Sequence, residues 1–136
     1  MTAAVQTLLG FDVGEKRIGV AVGQTLTATA SPLITIAVTN NRPDWAGITQ
    51  LIEDWQPQAL VVGIPLTMTD ARQPMTERAE KFMRQLQGRY KLPTYGIDER
   101  LSSYEAQTRL RSSYDVDPAA AQVILETWLA DNVPGR

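Results

Sequence analysis

The sequence predicts a mixed α/β fold: an antiparallel meander of three strands followed by alternating helices and strands. Three features carry that prediction. Two apolar runs, Leu8-Leu9-Gly10-Phe11-Asp12-Val13 and Ile18-Gly19-Val20-Ala21-Val22, flank the polar turn Gly14-Glu15-Lys16-Arg17, as in a β-hairpin. The apolar residues then change period. Trp45, Ile48, Leu51, Ile52 and Trp55 recur three or four residues apart, as on one face of a helix. Finally, the uninterrupted apolar run Ala59–Ile64 reads as a strand buried on both faces, so helix and strand together imply a crossover and a parallel pairing.

Taken in order, the first strand ends in a carboxylate. Side chains alternate along a strand, so Leu8, Gly10 and Asp12 share one face and Leu9, Phe11 and Val13 the other. A charge there is costly unless it is solvated, paired or bound to a cation. Asp12 therefore either caps the Gly14 turn or serves a bound ion. Residues 24–32 are polar and rich in hydroxyls, which predicts a loop, and residues 33–38 are β-branched between Pro32 and Asn40-Asn41, which predicts the third strand. The Trp45 stripe follows Asp44 and stops before Pro57. After the buried strand, Pro65-Leu66-Thr67-Met68-Thr69-Asp70 forms a loop at the strand's carboxyl end. Open α/β sheets bind their ligands at that edge, which makes Thr67, Thr69 and Asp70 binding candidates.

A second helix is predicted from residue 74 to about residue 87, with Met75, Ala79, Phe82, Met83 and Leu86 toward the core and Gly88 as its stop. Residues 94–97 form a short strand that runs into Asp98-Glu99-Arg100. Ser102 and Glu105 stand at capping-box spacing and open a further helix. Asp117-Pro118 reads as an N-cap followed by proline at the first helical position. Ala121, Ile124, Leu125 and Trp128 then form the stripe that packs the last helix on the sheet.

Composition narrows the chemistry. The 136 residues leave room for one domain with a sizeable core. The opening Met1-Thr2-Ala3-Ala4-Val5-Gln6 lacks a basic region followed by a long apolar core, and no apolar run approaches bilayer length. A cytoplasmic protein with no membrane association is expected. The chain has no Cys and no His. Disulfides, thiolate nucleophiles, thiolate or imidazole metal ligands and serine–histidine catalysis are thereby excluded. What remains for catalysis is carboxylates, Lys, Arg, Tyr, hydroxyls and a hard cation held by oxygen.

Acidic residues at strand ends and helix starts recur at Asp12, at Asp98-Glu99 and at Asp115-Val116-Asp117. Because faces alternate, Asp98 and Glu99 do not both enter one site if the strand continues through them. Three such sites without His or Cys suggest a carboxylate cluster for one or two Mg²⁺ or Mn²⁺ ions, the chemistry of a metal-dependent phosphodiesterase. The formal net charge of −2 advertises no broad basic surface. Two local basic groups stand out: Arg78, Lys81, Arg84, Arg89 and Lys91, and Arg100, Arg109 and Arg111. Each is read either as a solvated helix face or as a nucleic-acid contact.

Four blocks of the chain resemble a known family. They are Leu9-Gly10-Phe11-Asp12-Val13-Gly14-Glu15-Lys16-Arg17-Ile18-Gly19-Val20-Ala21, Val61-Val62-Gly63-Ile64-Pro65-Leu66, Asp98-Glu99-Arg100-Leu101-Ser102-Ser103, and Asp117 with Ala120-Ala121 and Ile124-Leu125. In this order they are similar to the signature blocks of the YqgF/RuvX family, the pre-16S rRNA nucleases also called Holliday junction resolvase-like proteins. The resemblance implies a ribonuclease H-like fold, with a five-stranded mixed sheet, its first three strands antiparallel, and helices on both faces. It also implies Asp12, Glu99 and Asp117 as catalytic metal ligands, with Asp98 in the motif, and Lys16, Arg17 and Arg100 as phosphate contacts.

Thr67 replaces the family's usual Asn, and Ser102-Ser103 its usual Thr pair. The segment 110–116 is short and carries only Arg111 where many members have a lysine-rich loop. The implied substrate is structured RNA, a ribosomal precursor, cut by a monomer or weak homodimer. A junction-cleaving DNA nuclease and a non-catalytic ribosome-assembly factor are the alternatives.

Overall fold

The computed structural model describes residues 6–66, 73–99 and 118–132. The described strands are β1 (Thr7–Val13), β2 (Arg17–Gln24), β3 (Thr29–Thr39), β4 (Arg42–Pro43), β5 (Ala59–Ile64) and β6 (Thr94–Asp98), in the spatial order β4-β3-β2-β1-β5-β6. Helices α1 (Trp45–Trp55), α2 (Pro74–Tyr90) and α3 (Pro118–Asn132) pack against this sheet. As the hydrophobic pattern predicts, β1, β2 and β3 form an antiparallel meander, while β5 runs parallel to β1 and β6 parallel to β5. Asp44 caps α1, its Oδ1 accepting the Gly47 N–H at 3.2 Å.

The fold departs from expectation in its strand count and in two boundaries, the start of β3 and the end of α2. It has six strands rather than five. The added strand, β4, is two residues long and pairs Val38 with Pro43 and Thr39 with Arg42. Asn40 and Asn41 make the connecting turn with φ of 52° and 63°, the backbone of a type I′ hairpin that asparagine tolerates. So short an edge strand, half of it proline, carries no periodic signal. β3 begins at Thr29, inside the segment expected to be a loop. Val20 pairs with Ile34 and Ala21 with Pro32, leaving Leu33 as the extra residue of a bulge. The bulge carries the strand past a proline that cannot donate to the ladder.

Helix α2 runs through Gly88 to Tyr90, and Lys91 closes it in the left-handed conformation with φ 59°. A glycine inside a helix costs only about 1 kcal/mol, which the packing of Leu86 and Tyr90 on either side of it offsets. The helix expected at Ser102 lies outside the described residues.

Two cores sandwich the sheet. Leu9, Phe11, Val20, Leu60 and Val62 face α1 and α2, and Leu8, Ala21, Ala59, Val61 and Ile97 face α3. On the α1–α2 side, Phe82 stands edge-on to Phe11 at 5.4 Å and stacks with Trp45 at 5.6 Å. Arg89 covers the Trp45 ring at 4.0 Å, a cation–π contact that ties the two helices together.

Two substitutions in α2 test this packing in opposite directions. Phe82→Ala empties the centre of the aromatic cluster and is expected to lower unfolding free energy by about 3–5 kcal/mol in urea titration. A Cβ at Gly88 meets nothing within 4 Å, so Gly88→Ala is expected to raise it by about 0.5–1 kcal/mol. A destabilising Gly88→Ala would show that the helix ends earlier in solution.

Candidate metal centre at the carboxyl end of the central strands

Asp12 is the next-to-last residue of β1, pairs with Gly19 of β2, and is 5% exposed. It lies on the α3 side of the sheet, because Leu8, two pairs of residues earlier on the same face, packs in the α3 core. Between them is Gly10, where a Cβ would stand 2.8 Å from Leu125 Cβ and 3.3 Å from the Ala121 carbonyl oxygen. The helix backbone thus approaches β1 directly over a residue with no side chain. Leu125 also fills the space above Gly23, the partner of Leu8, while the Ala121 backbone approaches Gly10, two residues nearer Asp12 along β1. Moving from Leu125 back to Ala121 therefore follows β1 toward Asp12, and Pro118 opens α3 at the carboxylate end.

Glu99 reaches the same place from the other side. It follows β6, in which Ile97 pairs with Gly63 and Asp98 with Ile64. A Cβ at Gly63 would lie 2.8 Å from Glu99 Oε1, 3.1 Å from Glu99 Cγ and 2.6 Å from Ile124 Cδ1. The Glu99 side chain thus lies across Gly63 in the space a larger residue would take. Phe11 pairs with Val62, so Asp12 and Gly63 come next on neighbouring parallel strands. Neighbouring strands are about 4.8 Å apart, so Asp12 of β1 and the Glu99 side chain over Gly63 of β5 stand on adjacent strands of the same sheet face. Asp98, one residue earlier, falls on the opposite face by alternation.

The turn beside Asp12 closes through its own backbone: the Gly14 N–H donates to the Arg17 carbonyl at 2.9 Å. Asp12 has interaction partners within the chain, and its buried Oδ2 receives no hydrogen bond from the described residues. A buried carboxylate with a second carboxylate reaching over the neighbouring strand, both oxygen donors, fits a hard divalent cation. No third His, Cys, Asp or Glu joins the pair among the described residues. Asp117 and Arg100 lie outside them, as do Thr67, Thr69, Asp70 and Asp115. Lys16 and Arg17 are described and exposed, at the tip of the β1–β2 hairpin.

Gly63 is the site residue that pattern reasoning passes over. Its signal is a glycine inside an otherwise large, buried, β-branched run, which marks a close approach by another group.

The comparisons with known proteins bear on the family and the fold. A family model, RuvX, described as Holliday junction resolvase, matches residues 6–131. A "Putative pre-16S rRNA nuclease" of Hydrogenovibrio crunogenus is 47% identical over 131 residues, covering 95% of this chain and 98% of its own. One of the same name from Pseudomonas putida is 46% identical over 139 residues, covering 96% and 99%. Among solved structures, Thermus thermophilus RuvC in complex with a Holliday junction substrate superposes with a TM-score of 0.59 at 15% identity, covering 94% of this chain and 96% of that one, a likeness of fold. The chain belongs to the RuvX family of nucleases, enzymes that hydrolyse phosphodiester bonds.

Proposed function

We propose that the chain is a divalent-cation-dependent endonuclease acting in the cytoplasm on structured RNA, the precursor of the small-subunit ribosomal RNA. The observation that carries this is the Glu99 side chain lying over Gly63 of β5, on the strand next to buried Asp12 of β1. Asp117 is the third ligand in this reading, supported by its place in the sequence immediately before Pro118, the residue that opens α3 at the Asp12 end. The names of the relatives support the RNA precursor as substrate. Mg²⁺ or Mn²⁺ bound by these carboxylates would supply Lewis-acid stabilisation of the phosphodiester and activation of a water.

The chain's own contribution is positioning. Asp12 is fixed by its pairing with Gly19 of β2, one residue beyond the last β1–β5 pair, Phe11 with Val62, which holds its carboxylate at one depth in the site. Ile124 packs against Gly63 beside Glu99 and shields that carboxylate from solvent on one side, which strengthens its hold on a cation. Lys16 and Arg17, exposed on the adjoining turn, and Arg100, next to Glu99 in sequence, supply positive charge for substrate phosphates. A water activated by a bound cation would serve as the nucleophile, so no protein side chain need do so. A second substrate, branched DNA, is favoured by the description of the family model. A stable dimer would support it, since symmetric cutting of a junction needs two sites; the RNA reading goes with a monomer or weak dimer.

Incubation of the purified chain with Mg²⁺ or Mn²⁺ and either labelled ribosomal precursor or a four-way junction separates these substrates. Asp12→Asn and Glu99→Gln are each expected to lower cleavage more than about 100-fold, since even indirect support of a metal ligand is worth 10–100-fold. Equal activity in wild type and Asp12→Asn would remove the site from the mechanism.

Binding is checked apart from activity by the melting temperature. Mg²⁺ is expected to raise it in the wild type and to leave the Asp12→Asn, Glu99→Gln double variant unmoved. Gly63→Ala forces Glu99 or Ile124 aside, so a smaller Mg²⁺-dependent rise is expected there, with secondary structure retained by circular dichroism.

A further inference from the structure

We propose that a second cleft, on the α2 side of the sheet, binds one nucleotide of the substrate strand at a distance from the bond that is cut. The inference rests on the nuclease reading above and adds to it a binding subsite.

The cleft has a volume of about 210 Å³ and lies between the β3–β4 hairpin and α2, beside the Gly14 turn. Ile18, Val38 and Phe82 form its apolar floor, while Asn41, Arg78 and Lys81 stand at its polar rim. Among the described residues no Asp or Glu lines it, although the chain as a whole is acidic. Its ligand is therefore anionic and carries an apolar or aromatic face.

The rim is a built feature. Asn41 occupies the left-handed second position of the type I′ turn, and this conformation directs its Oδ1 to the Arg78 guanidinium, which donates to it at 2.8 Å. Arg78 is thus oriented across the gap between hairpin and helix. Lys81 and Gln85 follow on the same stripe of α2, three and seven residues after Arg78, and both line the cleft. Lys81 is exposed at its end, so its ammonium remains available to a phosphate. Gln85 offers both a donor and an acceptor to the edge of a base.

Size selects among anionic ligands. Pockets that enclose a whole small molecule run from about 300 Å³ upward, so this one accepts a single group of a longer chain. A nucleotide satisfies both demands, its base lying on the apolar floor and its phosphate on Lys81. Position agrees with that assignment. Val13 lines the cleft from one face of β1, and Asp12, the preceding residue, faces the metal centre from the other. The exposed Lys16 and Arg17 lie on the turn between the two sites, so a strand crossing this hairpin tip meets positive charge along the way.

The test uses the full chain, a fluorescent single-stranded RNA ten nucleotides long, adenosine 5′-monophosphate and a short polyglutamate peptide. The mononucleotide is expected to shift the amide resonances of Gly14, Val38 and Asn41, and Lys81→Glu to abolish those shifts. Lys81→Ala is expected to weaken RNA binding and to lower the slope of log affinity against log salt by about 0.7, the loss of one phosphate contact on a single strand, with Lys81→Arg restoring it.

RNA binding with the same salt slope in wild type and Lys81→Ala would overturn the subsite and leave the nuclease reading intact. Failure of the wild type to bind RNA at all would remove both. Shifts at the same amides from polyglutamate and none from the mononucleotide would assign the cleft to an acidic peptide and overturn the proposal.

Discussion

Helix α3 lies against the sheet as closely as it does because positions beneath it have no side chain, and two of them, Gly10 and Gly63, bear on the site. At Gly10 a methyl group would collide with Leu125, and at Gly63 with Ile124 and with the Glu99 carboxylate. Each absence has a separate consequence. The first lets the helix settle over β1 and run toward Asp12. The second opens the space through which Glu99 crosses from β6 toward β1. Without the pair, the apolar face of α3 would be held off the sheet, and the two carboxylates would be divided by side-chain bulk. The proposed carboxylate site therefore depends on backbone packing as much as on acidic residues.

The same strand that supports the carboxylates also divides the molecule's tasks. Along β1, alternate residues enter different cores, with Leu9 and Phe11 under α1 and α2 and Leu8 under α3. The α1–α2 side holds the aromatic cluster of Phe11, Phe82 and Trp45 and gives the sheet rigid support. The α3 side is built of smaller residues, Ala21, Ala28, Ala30, Ala59 and Ala121 among them, which permit close approach. Rigidity on one face and proximity on the other hold a charged residue at 5% exposure without a large internal void.

Much of the architecture is legible in the sequence where hydrophobic period is strong. The Trp45 stripe, the Ala59–Ile64 run and the alternation around Asp12 each report one local geometry, and each corresponds to an element of the structure. Legibility fails where a feature depends on partners distant in the chain. Thr29 to Pro32 resembles a loop until β2 pairs with it and a bulge absorbs the proline. The Asn40-Asn41 turn is visible as a boundary, but the two-residue strand beyond it is too short to show a period. Glu99 and Asp12 are recognisable as candidates from their motifs, yet the reach of Glu99 over Gly63 toward β1 depends on β5 lying between β1 and β6, and no local pattern states that order. Gly63 acquires its role only once that order is known.

The most direct measurement is the crystal structure of the chain soaked in Mn²⁺, with data collected at the manganese absorption edge. An anomalous peak bound by oxygens of both Asp12 and Glu99, beneath the start of α3, is the predicted result. Saturating Mn²⁺ with no peak between these carboxylates, or a peak held by other residues alone, would contradict the metal centre on which the proposed chemistry depends.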